Sequence, residues 1–267
     1  MSKSDAIKTF RDLLAFLTII PMGTGEDFVA TSAEYMYLFP LMGGIIGLFA
    51  AGYFLLSGFI ISGLLGFVNS LVQVPVDFLL RLAFALMTLA FLLVLTGLQH
   101  FDGLVDLGNA IGLHRLEERR EAAHAWIVTY RGAFLAILIE FLAFLGLFFI
   151  SEGLAFRVII TAEVAAKLAM VTIMVAGQPT SKGLGMRFMV KAKRKRNVVA
   201  YVIAFLIAVP LLGVIGLVVI GVSILLGVLM ERVGKSVFGG VSGDMIGATN
   251  ETARAVSLLL LAGVLAL

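Results

Sequence analysis

Residues 133–176 read AFLAILIEFLAFLGLFFISEGLAFRVIITAEVAAKLAMVTIMVA, two apolar stretches joined at Ser151-Glu152-Gly153. A helix needs about 20 such residues to cross a hydrocarbon core of about 30 Å, so 133–150 and 154–176 predict two spans folded back on one another. A third is predicted at 79–99, again apolar and bounded by charge or glycine. The rest of the chain agrees: 61% of its 267 residues are hydrophobic and 14% are charged, against roughly 45–50% apolar in ordinary soluble domains. Charge-free windows at 35–76, 82–101 and 197–230 complete an all-α, polytopic integral membrane helical bundle. It is expected to form one transmembrane domain over 1–267, with no room for a separate soluble one.

Sidedness follows from the cations. Segments 1–34, 100–131, 177–197 and 231–254 hold 17 of the 20 Lys and Arg, and the positive-inside rule makes their shared face cytoplasmic. Parity then requires 197–230 to cross twice, as a tight pair turning near 210–216. Residues 35–76 must cross once, with an outer re-entrant or interfacial piece where glycines accumulate. A short last span at 255–267 brings the total to about seven transmembrane helices. Lys3, Lys8 and Arg11 before the apolar run 13–20 imitate a signal peptide, but the run ends at Pro21 without a small-residue cleavage site, so a retained interfacial helix is expected. Gly43-x-x-x-Gly47 is a helix-contact spacing, expected to serve packing within the chain, with a homo-oligomer as its other use. The run Lys191-Ala-Lys193-Arg194-Lys195-Arg196 is expected to touch anionic lipid of the bilayer. A net charge of +3 is too small and scattered to make nucleic acid a partner. There are no cysteines, which excludes disulfides, iron–sulfur clusters and thiolate sites; any metal must sit on oxygen or nitrogen.

Two stretches carry chemistry. The first is His100-Phe-Asp102-Gly103-Leu-Val-Asp106-Leu-Gly-Asn109, in which Asp102, Asp106 and Asn109 fall at i, i+4 and i+7 on one helical face. Two carboxylates a turn apart can hold a hard cation such as Mg2+, and Gly103 is expected to leave room for a ligand. The plain alternative is a helix cap and a solvated aspartate. The second is Gly239-Gly-Val-Ser-Gly243-Asp244-Met-Ile-Gly247-Ala-Thr-Asn250-Glu251, a glycine-rich turn entering a helix. Its backbone N–H groups suit phosphate, and Asp244 and Glu251 share a face at i, i+7; a glycine-rich loop with a capping aspartate is the alternative. Both stretches reach the same membrane face, and four carboxylates converging there need cations to offset their repulsion.

Glu163 and Lys167, i and i+4 within a span, are either a packing ion pair or a substrate contact. Glu140 stands alone in its span, neutral or partnered. Arg131 and the loop holding Lys182 and Arg187 suit anionic phosphate or simply mark the inner face. His114 and His124 match no metal spacing, and Trp126 suits an interfacial anchor.

At these residues the sequence resembles the cobalamin synthase family, the membrane adenosylcobinamide-GDP ribazoletransferases. The family pattern His-x-Asp-Gly-Leu-x-Asp is met at 100–106 and Gly-Asp-x-x-Gly-Ala-x-Asn-Glu at 243–251, with weaker agreement at Phe16-Leu-Thr-x-x-Pro21, Phe39-Pro-Leu-Met-Gly43, Gly132-Ala-Phe134 and Ser181-Lys-Gly-Leu-Gly185. Two departures stand out: Asn109 replaces a usual aspartate, and Arg131 lies one position from the family's arginine. The resemblance implies transfer of alpha-ribazole, or its 5′-phosphate, onto adenosylcobinamide-GDP with release of GMP. Asp102, Asp106, Asp244 and Glu251 would then hold Mg2+. Asn109 and Asn250 would be auxiliary ligands or phosphate contacts, and His100 a donor to phosphate or a base. Gly243 would border the phosphate, with Lys167, Lys182 and Arg187 as anion contacts.

A CDP-alcohol phosphotransferase also pairs acidic helices with Mg2+, but its motif continues Asp-Gly-x-x with Ala-Arg where this chain has Asp106. A cation-coupled transporter using Asp102 and Asp244 would place carboxylates near the midplane of repeated halves, whereas here they fall at predicted helix ends and no repeat is visible.

Overall fold

Charge and glycine punctuation become helix boundaries in the computed structural model, which describes residues 3–23, 25, 27–123, 125, 127–180 and 184–265. Twelve α-helices follow in order among them: α1 (Lys3–Leu17), α2 (Phe28–Glu34), α3 (Phe39–Leu71), α4 (Val76–Leu95), α5 (Gln99–Ala110), α6 (Leu116–Ala123), α7 (Tyr130–Phe149), α8 (Glu152–Ala176), α9 (Leu184–Ala192), α10 (Val199–Leu212), α11 (Val214–Phe238) and α12 (Gly243–Leu265). The only β pairing among the described residues is an isolated bridge between Pro179 and Val241.

Six segments, built on α3, α4, α7, α8, α10 and α11, are long and apolar enough to cross a membrane. The 23-residue α12 falls outside those six. Its Glu251 and Arg254 lower its hydropathy, but both are buried inside the bundle. Helix α12 starts at Gly243, so the last span is not the short 255–267. The acidic motif is its first turns, because its charges find partners on other helices.

Helix α8 is the pillar. Its apolar window is 94% buried, against 22–33% for the other five, and α3, α10, α11 and α12 pack around it. Contact is close because the facing residues are small. A Cβ on Gly43 would stand 2.5 Å from the Glu163 carbonyl oxygen, and one on Gly47 2.7 Å from the Ile160 Cα. The Gly43-x-x-x-Gly47 spacing therefore serves packing within the chain. No break follows it: α3 runs unbroken for 33 residues, about 50 Å at 1.5 Å per residue. This corrects the outer re-entrant piece, since isolated glycines cost a helix only about 1 kcal/mol each and the apolar residues between them hold it together. The tight pair falls where expected, with Gly213 at φ +59 between α10 and α11.

Candidate active site

Three residues separate α4 from α5, which carries the first motif. Gly97 (φ +69) and Leu98 (φ +59) adopt left-handed backbone, conformations that end a helix at once and cost a leucine about 1 kcal/mol or more. The chain swings into α5, which lies across the start of α12. Two glycines set the distance: a Cβ on Gly103 would stand 2.3 Å from the Asp244 carbonyl oxygen, and one on Gly247 3.1 Å from the His100 Cα. The space at Gly103 thus admits α12, which corrects the expectation of room for a ligand. Gly243, by contrast, has nothing within 4 Å of a Cβ.

This crossing brings together Asp102, Asp106 and Asp244. Burial, then the charges of Asp244 and Asp102, push the Asp106 carboxyl up to about 7, so the three feel one another's field. The Ser242 hydroxyl donates to Asp244 Oδ2 (3.2 Å) and accepts from the Met245 N–H (3.2 Å), capping α12. Among the described residues, no three or more His, Asp or Glu are gathered tightly enough to hold a metal as they stand.

Glu251 does not join the aspartates. It lies below them in a sealed ionic core with Glu163, Lys167 and Arg254, none more than 1% exposed. Arg254 donates through Nη1 to Glu251 Oε2 and through Nε to Glu163 Oε1. Asn250 donates to Glu251 Oε1 (3.0 Å) and accepts from Lys167 Nζ (2.6 Å), which is 3.7 Å from Glu163 Oε2. With both oxygens engaged, Glu251 is a support rather than an open ligand, and Lys167 and Asn250 are spent on the same network. Both oxygens of Glu140 on α7 are buried without a hydrogen-bond partner among the described residues, close enough to Glu251 to feel its charge. His100 bridges the two layers: its Nδ1 is 3.8 Å from Glu251 Oε1. Burial, with the Lys167 and Arg254 charges behind it, keeps its imidazole neutral, well below the usual histidine range.

His100, Gly243 and Asp244 line a cavity of about 220 Å³, walled elsewhere by Phe16, Phe39, Phe188, Met170 and Met174. A wider cleft of about 1090 Å³ lies between α1, α2 and α9 and takes in Lys8, Arg187 and Lys191.

The remaining expectations fall outside this crossing. Asn109 Oδ1 accepts from the Thr129 N–H (3.0 Å) and hydroxyl (2.7 Å), and Nδ2 donates to the Ile127 carbonyl (2.7 Å). It clamps α5 to the start of α7 and has little left for a ligand. Arg131 reaches the Ile111 carbonyl (3.3 Å) and lies over the Tyr130 ring. In the basic run Lys191, Arg194 and Arg196 converge on Glu34, while Lys193 caps α8 at the Val175 (2.7 Å) and Gly177 (2.8 Å) carbonyls; Lys193, Arg194 and Lys195 stay exposed. Ser181, Lys182, Gly183, His124 and Trp126 lie outside the described residues. Sequence reasoning missed Arg254, whose signal was present: Glu251 and Arg254 are i, i+3, and a charge ahead of an apolar run was taken to mark its end. Phe188 carried no signal, being one of 21 phenylalanines, and Phe16 was marked only by its place in Phe16-Leu-Thr-x-x-Pro21.

The family model for cobalamin-5-phosphate synthase matches residues 9–262. The chain is 30% identical to the adenosylcobinamide-GDP ribazoletransferase of Methanocella arvoryzae, over 96% of this chain and 95% of the relative. It is 27% identical to that of Methanosarcina barkeri (97% and 92%) and 29% identical to that of Halorubrum lacusprofundi (94% and 95%). No solved structure matches.

Proposed function

The chain belongs to the cobalamin-5-phosphate synthase family, and we propose that it transfers alpha-ribazole, or its 5′-phosphate, onto adenosylcobinamide-GDP with release of GMP. The observation that carries the chemistry is the convergence of Asp102, Asp106 and Asp244 beside a cavity, where α5 crosses the start of α12. The ribose hydroxyl oxygen attacks the phosphorus on the cobinamide side of the diphosphate. The bond from that phosphorus to the GMP oxygen breaks, and GMP leaves.

Asp102, Asp106 and Asp244 would hold Mg2+; their donor type fits, being hard oxygens whose mutual repulsion a divalent cation offsets. Bound there, the ion supplies positive charge to the diphosphate and to the departing GMP. Gly243 leaves space at the start of α12 for a phosphate oxygen to approach its backbone. His100, neutral and lining the cavity, takes the hydroxyl proton. Arg187, exposed in the wider cleft with Lys8, is a cation available to the diphosphate. Concentration of 17 of 20 Lys and Arg on this face supports a cell-membrane protein with its site open to the cytoplasm.

The test is GMP release by the purified protein in lipid, given adenosylcobinamide-GDP and alpha-ribazole 5′-phosphate, with Mg2+ or with a chelator. Magnesium-dependent release is expected. Release unchanged in the chelator removes the metal from the proposal, and absence of release under both conditions removes the reaction.

A further inference from the structure

The cavity has two unlike walls. Gln99, His100, Gly243 and Asp244 supply the polar one; the other is three phenylalanine rings from segments far apart in the chain. Phe16 of α1 and Phe188 of α9 stand 4.9 Å apart between centroids, and Phe39 of α3 closes the group at 6.1 and 6.0 Å. Met170 and Met174 of α8 line the same space, and thioethers adapt to a flat ring while contacting it favourably. Only Phe16 is half-buried rather than buried, so it offers the freest ring face.

Size and polarity choose the occupant. About 220 Å³ lies below the roughly 300–1,000 Å³ of sites for drug-sized ligands, enough for one bicyclic ring and far too little for a corrin. The phenylalanine and methionine side of the cavity offers no donor or acceptor, its polar groups being Gln99, His100, Gly243 and Asp244, so an apolar ring edge sits against it without leaving a polar group unpaired. A benzimidazole presents apolar edges and two faces for stacking.

Resting on the transfer proposed above, we infer that Phe16, Phe39, Phe188, Met170 and Met174 form the pocket for the planar base of the ribazole acceptor, and so determine which lower-ligand bases the protein accepts. Seating the base against the rings leaves its ribose toward His100 and Asp244, where the hydroxyl must react.

The experiment measures the binding of alpha-ribazole 5′-phosphate and of ribose 5-phosphate by equilibrium dialysis to the full-length protein in lipid, for wild type, Phe16→Leu and Phe188→Leu, alongside KM for both substrates. We expect wild type to prefer the base-bearing acceptor. Each variant should lose about tenfold of that preference, which is about 1.4 kcal/mol and within the range for stacking a base on an aromatic ring. KM for adenosylcobinamide-GDP should move less than twofold. An undiminished preference in Phe16→Leu, whose ring is the least buried and whose loss perturbs folding least, overturns the inference. So does a wild type with no preference, or a rise confined to adenosylcobinamide-GDP, which would give the pocket to guanine. Base-dependent binding without GMP release would refute the reaction and leave the pocket standing.

Discussion

Gly103→Ala tests how the site is assembled. The new Cβ would stand 2.3 Å from the Asp244 carbonyl oxygen and 3.0 Å from the Ala248 nitrogen, where ordinary contact begins at 3.4 Å. Both obstacles are backbone atoms of one helix, so no side chain can turn aside. Helices α5 and α12 must separate by about 1 Å, and overpacking of this kind costs about 1–3 kcal/mol. For a chain of this size that lowers the melting temperature by several degrees, taking about 2–4 °C per kcal/mol. The same shift moves Asp244 away from Asp102 and Asp106, and a 1 Å misplacement can cost about 100-fold in rate. The assay is thermal melting of the substrate-free protein in detergent, followed by GMP release. If Gly103 made room for substrate instead, melting would be unchanged and only KM would rise, and that outcome would refute the close crossing.

Three further outcomes are expected. Arg254→Met should destabilise the protein by about 3–5 kcal/mol, because it strands Glu163 and Glu251 as buried charges; a midpoint unchanged in denaturant titration would contradict the ionic core. Asn109→Asp should lower stability by about 1 kcal/mol, replacing the donor to the Ile127 carbonyl with a carboxylate oxygen, and should bring no gain in turnover; a faster enzyme would return position 109 to the reaction. Glu34 is held down at about 2 by Lys191 foremost and then by Arg196 and Arg194. With its folded value below the usual carboxylate value, its contribution is full above about 4.5 and is lost as pH falls toward 2. Hydrogen exchange in α2 and α9 should therefore be flat from pH 8 to 5, once corrected for intrinsic rate, and faster throughout in Glu34→Gln; coincident profiles would release Glu34 from that role.

The sequence carried the spans and the two acidic motifs because both are local signals: apolar length for the first, and carboxylates at helical spacing beside glycines for the second. What it could not carry was which residue meets which across the bundle. Asn109 looks like a ligand by its i+7 position, yet its amide goes to Thr129 and Ile127, a contact spanning about 20 residues that no periodicity marks. Glu251 shares a face with Asp244, but two helical turns carry it below the surface toward Arg254 and Glu163. Residues 35–76 read as breakable because glycine number was legible while glycine surroundings were not; Gly43 and Gly47 are stiffened by the helix packed against them.

The placement of α8 at the centre bears on how the chain is made. Helix α8 is synthesised long before α12, so Glu163 and Lys167 enter the bilayer some 90 residues ahead of Arg254. Standing i, i+4 and 3.7 Å apart, they neutralise one another during that interval, which lowers the cost of inserting either alone. With α12 docked, Arg254 adds a second cation to Glu163 and Asn250 accepts from Lys167, while the pair itself persists. The last helix therefore completes the ionic core and brings Asp244 to the site in one event.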